Sequence, residues 1–159
     1  ISLMSDANAR GAALEPLMND ILGYYAQDSR GPIRRTGEQI DGHFKLDSHW
    51  YYVEVRWRDH KASAADVSVL RDRAKDGFGG DMKALFISMS GFSGECLKRL
   101  VNKDDERVIL MDGFDLRCVL DCQIALDVLM DEKQAALIRR VGPFVGARTI
   151  IEERMARKR

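Results

Sequence analysis

Between Ile33 and Trp57 apolar and polar residues alternate about the dipeptide Asp47-Ser48, and no other stretch constrains the fold as strongly. Asp47 and Ser48 suit a two-residue turn joining Phe44-Lys45-Leu46 to His49-Trp50-Tyr51-Tyr52-Val53, which predicts a β-hairpin. With that turn Leu46 pairs with His49, and Asp41 falls opposite Glu54. One face then carries Ile40, Phe44, Leu46, Tyr51, Val53, Val55 and Trp57. The other carries Asp41, His43, Lys45, Trp50, Tyr52, Glu54 and Arg56. The apolar face is expected to pack on helices, leaving the carboxylates on a more open face. A slip of one residue would exchange the two faces, so the reading depends on the turn.

Opposed residues across an antiparallel pair stand ~5 Å apart at their Cβ atoms. Two carboxylates so placed repel, an arrangement that a purely structural sheet avoids and that a bound cation turns into attraction. Hard divalent ions such as Mg²⁺ take carboxylate and carbonyl oxygens and leave room for a phosphate. An ion held there would polarise a phosphodiester and make a bound water more acidic. A surface hairpin with acids and bases mixed by chance would show the same spacing, and spacing alone leaves both readings open.

Around the hairpin the pattern predicts alternating elements. Leu14, Leu17, Met18, Ile21 and Leu22 recur at helical spacing over about Asn8–Tyr25, with Pro16 marking a first turn or a kink. Ser29 to Pro32 reads as a loop. Ser63 starts a helix, with Asp66 placed for a capping box and Val67, Leu70 and Ala74 as its apolar stripe; Gly77 to Gly80 ends it. Ala84–Met89 and Arg107–Met111 are apolar enough for buried strands. Ser93 caps a helix to about Leu100 or Val101, and helices follow over about Phe114–Leu120 and Ile124–Arg140. The order predicts an α/β sandwich around a mixed sheet.

The chain has 159 residues, a length that suits one domain, with a core at about 8–140 and a basic helical tail at about 141–159. It begins at Ile1, which suits an excised domain or a processed chain. There are 25 basic and 25 acidic residues, so net charge lends no support to nucleic-acid binding; only local clusters such as Arg56, Arg58 and Lys61 do. No apolar run approaches the ~20 residues of a membrane span. Three cysteines, Cys96, Cys118 and Cys122, argue for a reducing compartment, hence a cytoplasmic protein. Cys118 and Cys122 are expected to share a helix face and pack in the core. Gly77 to Gly80 lacks the residues of a phosphate loop, and no Ser-His-Asp arrangement is readable.

Gln39-Ile40-Asp41-Gly42 followed by Tyr52-Val53-Glu54-Val55-Arg56-Trp57 resembles the metal-binding hairpin of PD-(D/E)xK nucleases, particularly their Mrr-like restriction endonuclease branch. Gly11 and Leu14-Glu15 resemble that branch's upstream helical glutamate. Phe86 to Ser93 resembles the strand and turn after the core helix, and Val108 to Leu116 the closing strand and helix. The resemblance spans roughly residues 8 to 140 and implies a restriction-endonuclease-like α/β sandwich, its central mixed sheet flanked by helices.

By resemblance Asp41 and Glu54 are metal ligands, the Val55 carbonyl is a further ligand, and Glu15 orients or supplements the site, with Mg²⁺ or Mn²⁺ as cofactor. The resemblance implies a DNA endonuclease of a restriction or anti-phage defence system acting on double-stranded DNA, with a homodimer and a sensor or specificity domain outside this chain as expected partners. Lys45, Trp50, Tyr52, Arg58 and Lys61 are candidate DNA contacts. One position departs from the family pattern: Arg56 stands where lysine is usual. Arginine keeps the charge but cannot accept a proton. That departure supports the alternative, a non-cleaving module that binds DNA or mediates assembly.

Overall fold

The computed structural model describes residues 6–26, 28–30, 33–35, 38–40, 42–77, 82–101 and 107–158. In chain order the elements are α1 (Ala7–Tyr25), β1 (Asp28–Arg30), β2 (Ile33–Arg35), β3 (Glu38–Ile40), β4 (Gly42–Leu46), β5 (His49–Arg56), α2 (Ala64–Lys75), β6 (Lys83–Ser88), α3 (Gly94–Val101), β7 (Val108–Asp112), α4 (Gly113–Leu120), α5 (Leu126–Ile138) and α6 (Ala147–Arg157). The main sheet has the order β1-β4-β5-β6-β7, and β2 and β3 form a separate ribbon. β1, β4 and β5 pair antiparallel, whereas β5, β6 and β7 are parallel. This is an α/β sandwich around a mixed five-stranded sheet flanked by helices, as the sequence predicts.

The hairpin forms in the expected register, from Gly42 opposite Val53 to Leu46 opposite His49. Its turn places both Asp47 (φ 47°) and Ser48 (φ 70°) in the left-handed region, the primed geometry whose twist matches a two-residue hairpin. Two apolar clusters lie on opposite faces of the sheet. The first joins Leu14, Met18 and Leu22 of α1 to Phe44, Tyr51, Val53, Leu85, Ile87 and Met111, with α4, α5 and α6 completing it. Its Ala147 and Ile150 come from the helical tail. The second joins Val67, Leu70 and Ala74, the expected stripe of α2, to Ala84, Phe86, Cys96 and Leu110.

Three expectations change and one narrows. The carboxylate-bearing face of the hairpin is not open near Glu54, because α2 covers it and leaves Glu54 only 8% exposed. Asp28–Arg30 is a strand on the sheet edge rather than a loop. Pro16 lies inside α1, ten residues in, which excludes the first turn, one of the two places expected for it, and leaves the interior position expected of a kink. An interior proline costs ~3 kcal/mol, while burying each of Leu14, Met18 and Leu22 returns ~1.5–3 kcal/mol, so packing wins. Finally, Cys118 is buried as expected, but Cys122 lies beyond the α4 cap at φ 54° and is exposed.

Among the described residues no helix is long and apolar enough to cross a membrane.

Candidate active site

The C-terminal half of β5 carries the site. Period-2 alternation puts Glu54 and Arg56 on the same face of the strand, the face under α2. Arg56 donates to Glu54 Oε1 from Nε at 2.6 Å and approaches it from Nη2 at 2.5 Å. Its Nη1 pairs with Asp66 of α2, and its guanidinium lies 5.3 Å above the Phe86 ring. Arg73, also on α2, stands 3.9 Å from Glu54 Oε2, and Arg58 stands 3.8 Å from Asp66. A chain of alternating charge therefore ties the end of β5 to α2.

Asp66 has two tasks. Its Oδ2 accepts from the Ser63 N–H at 2.8 Å and Oγ at 2.7 Å, closing the capping box that starts α2, while Oδ1 faces Arg56. Partial burial would raise its pKa. The Ser63 hydrogen bonds and the Arg56 charge outweigh that and bring it down to about 2. Desolvation alone would lower the Arg56 pKa, but Glu54 and Asp66 raise it above its ordinary value. Arg56 is thus a fixed cation.

Backbone direction bears on Val55. The Arg56 carbonyl accepts from the Met89 N–H at 2.9 Å, on the β6 side. Carbonyls alternate along a strand, so the Val55 carbonyl points the other way, towards the β4 side of β5.

Glu15 sits on α1, whose buried side belongs to the first cluster, across the sheet from α2. Two contacts fix its height along β5. Arg10 lies over Trp57 and pairs with Asp59, past the end of the strand. Asn19 Oδ1 lies 3.8 Å from where a Gly42 Cβ would stand, and Gly42 pairs with Val53. Glu15 lies between Arg10 and Asn19 and so falls at the level of Glu54 and Val55. Asp41 lies outside the described residues. Among the described residues no group of three or more His, Cys, Asp or Glu is placed to hold a metal.

The candidate DNA contacts separate. Lys45 pairs with Trp50 near the turn, where His43 and Trp50 rings are 5.8 Å apart. Tyr52 packs against the second apolar cluster. Arg58 and Lys61 are exposed beyond the other end of β5, ~20 Å of strand away from Trp50. Asp66 and Arg73 were missed as site residues. Their signal was available: Asp66, Leu70 and Arg73 follow the helical 4-3 spacing that puts them on one face beside the apolar stripe.

No family model and no curated protein matches this chain. A solved structure similar to it is that of a repair endonuclease from Pyrococcus abyssi, with 17% identity and a TM-score of 0.42. The match covers 69% of this chain and 47% of that one, so this chain spans about half the length of its neighbour.

Proposed function

We propose that this chain is a metal-dependent DNA endonuclease domain that hydrolyses phosphodiester bonds in duplex DNA as part of a restriction or anti-phage defence system. The observation that carries the reading is the hairpin register together with Glu54 and Arg56 on one face of β5. The donor types suit a hard cation: the Glu54 carboxylate, the Val55 carbonyl turned towards β4 and, by resemblance, Asp41 are oxygen ligands, whereas Glu15 stands on α1, on the face of the sheet opposite Glu54, and by resemblance would only supplement the site. Mg²⁺ or Mn²⁺ bound there would polarise the scissile phosphate and acidify an attacking water.

The chain's own residues do the rest. Arg56 orients the Glu54 carboxylate and holds a permanent positive charge beside the phosphate position, so its contribution is to charge and not to proton transfer. Asp66 and Arg73 steady that pair from α2. Lys45, Trp50, Arg58 and Lys61 would contact DNA on either side. Duplex cutting needs two sites or two successive nicks, which a homodimer would supply, and sequence choice would come from a domain outside this chain.

The sharing of Arg56 between Glu54 and Asp66 favours a second reading, a non-cleaving module of the same fold that binds DNA or mediates assembly. Incubation with plasmid DNA and Mg²⁺ or Mn²⁺ separates the two. The nuclease reading expects cleavage by the wild type and loss of roughly 100-fold or more in Asp41→Ala and Glu54→Ala. Arg56→Lys should keep or raise it. Cleavage that persists in both alanine variants sinks the site. Salt-sensitive binding with no cleavage under either metal favours the second reading.

A further inference from the structure

A cavity of about 320 Å³ opens at the C-terminal ends of the parallel strands β6 and β7, beside the segment that leaves Arg56. Ligands of open α/β sheets gather at this edge. Its walls include Phe92, Phe114, Phe144 and Met89, and its polar groups include Lys61 and Asp112. The β5–α2 segment binds directly to the β6–α3 turn, where the Ala62 N–H donates to the Gly91 carbonyl at 2.9 Å. Lys61 therefore continues the line of Arg56 and Arg58 to the mouth of the cavity.

The cavity is built rather than left over. Phe144 packs on Phe92 at 5.7 Å and is held from behind by Lys133, whose Nζ lies 4.4 Å from its ring centre. Lys133 also donates to the Val145 carbonyl at 2.6 Å and pairs with Asp115 at 2.7 Å, both charges almost wholly buried. Buried ion pairs add little net stability but fix geometry when fully bonded. On the opposite side Gly113 packs so tightly that a Cβ would stand 2.6 Å from the Met89 carbonyl oxygen. Phe114, by contrast, is 45% exposed at the rim, with the Arg148 guanidinium 5.1 Å from its ring centre.

We propose that this cavity receives one nucleobase carrying an exocyclic amino group, its ring against the Phe92–Phe144 pair on the side of Phe114, its amino group on Asp112 and its phosphate towards Lys61. Aromatic walls suit any base by stacking, and the volume admits a single nucleoside rather than a duplex. Asp112 caps α4, its Oδ1 accepting from the Asp115 N–H at 2.8 Å, and its remaining acceptor capacity supplies the selection, because a carboxylate accepts from the amino group of adenine or cytosine and repels the carbonyl that thymine presents instead. The assignment rests on the nuclease reading only in naming a nucleotide as ligand. It would let the domain hold an unpaired base next to the strand at Glu54.

The test uses the ε-methyl resonance of Met89, one of seven methionines, assigned through Met89→Leu. Deoxyadenosine or deoxycytidine monophosphate should move it saturably, and thymidine monophosphate should bind about tenfold more weakly. Phe114→Ala, a substitution at an exposed ring, should weaken binding about tenfold. A silent Met89, equal affinity for all bases, an equal shift with inorganic phosphate, or undiminished binding by Phe114→Ala would each overturn the assignment. Free nucleotides require neither a metal nor a scissile bond. An inactive but nucleotide-binding protein thus fails only the nuclease reading, and cleavage with a silent Met89 fails only this one.

Discussion

Arg56 meets Glu54 through two nitrogens and Asp66 through a third, and Asp66 in turn accepts from Ser63. An isolated surface pair contributes ~0–1 kcal/mol, but part-buried members sharing one guanidinium lose less entropy per contact. Asp66 therefore contributes about 1 kcal/mol after allowance for solvent screening. Its folded pKa of about 2 lies below the unfolded value near 3.8. The stabilisation is fully present above about pH 4 and is lost as pH falls towards 2. Asp66→Asn keeps the cap shape but not the charge, so urea titrations should show it less stable than wild type at pH 7, with the gap closing by pH 2. A gap that stays constant over that range would show that the charge is not what Asp66 contributes. Nothing in the local sequence reveals this pairing. Ser63 and Asp66 advertise a cap three residues apart, whereas Arg56 is brought to Asp66 by the packing of α2 on the sheet.

Elements defined by their own residues were legible. The hairpin register followed from one dipeptide and a period-2 pattern, and α2 followed from a cap and a stripe. β1 was not legible, since three polar residues on an edge carry no periodicity and owe their conformation to β4. Which of its two expected places Pro16 takes in α1 was equally hidden, because the compensating burial is tertiary. The turn offers the sharpest test of the register. Two residues with side chains occupy left-handed backbone there, which costs roughly 1 kcal/mol each. Ser48→Gly removes that strain but frees the unfolded chain, for a net gain of about 0.5 kcal/mol and a Tm rise of about 1–2 °C. Ser48→Val places a branched side chain at positive φ and should lower Tm by about 3–6 °C. Thermal scans in which valine is tolerated as well as glycine would rule out this turn and, with it, the alignment that sets Glu54 in the site.

At the scale of the molecule, the sheet is held between two apolar clusters, and the C-terminal helix joins the first through Ala147 and Ile150. Its attachment is also polar. Asp115 Oδ1 accepts from the Ala147 N–H at 2.6 Å at the start of α6, while Oδ2 meets Lys133 of α5. Asp115 also bonds reciprocally with Asp112, so a single carboxylate links β7, α4, α5 and α6. A lysine in the run Asp131-Glu132-Lys133 reads from sequence as solvated charge; only the packing of three helices shows that it is buried, and desolvation lowers its pKa despite Asp115. Removing one partner of a buried pair strands the other, at a cost of ~3–5 kcal/mol. Lys133→Met should therefore destabilise the whole domain by about that amount in urea titrations, with α6 amides losing hydrogen-exchange protection together with those of β7. Adding Asp115→Asn should cost much less than a second such penalty, because the stranded charge is gone while the hydrogen bond to Ala147 can survive. If the two substitutions instead add in full, the pair is not coupled, and α6 is held by its apolar contacts alone.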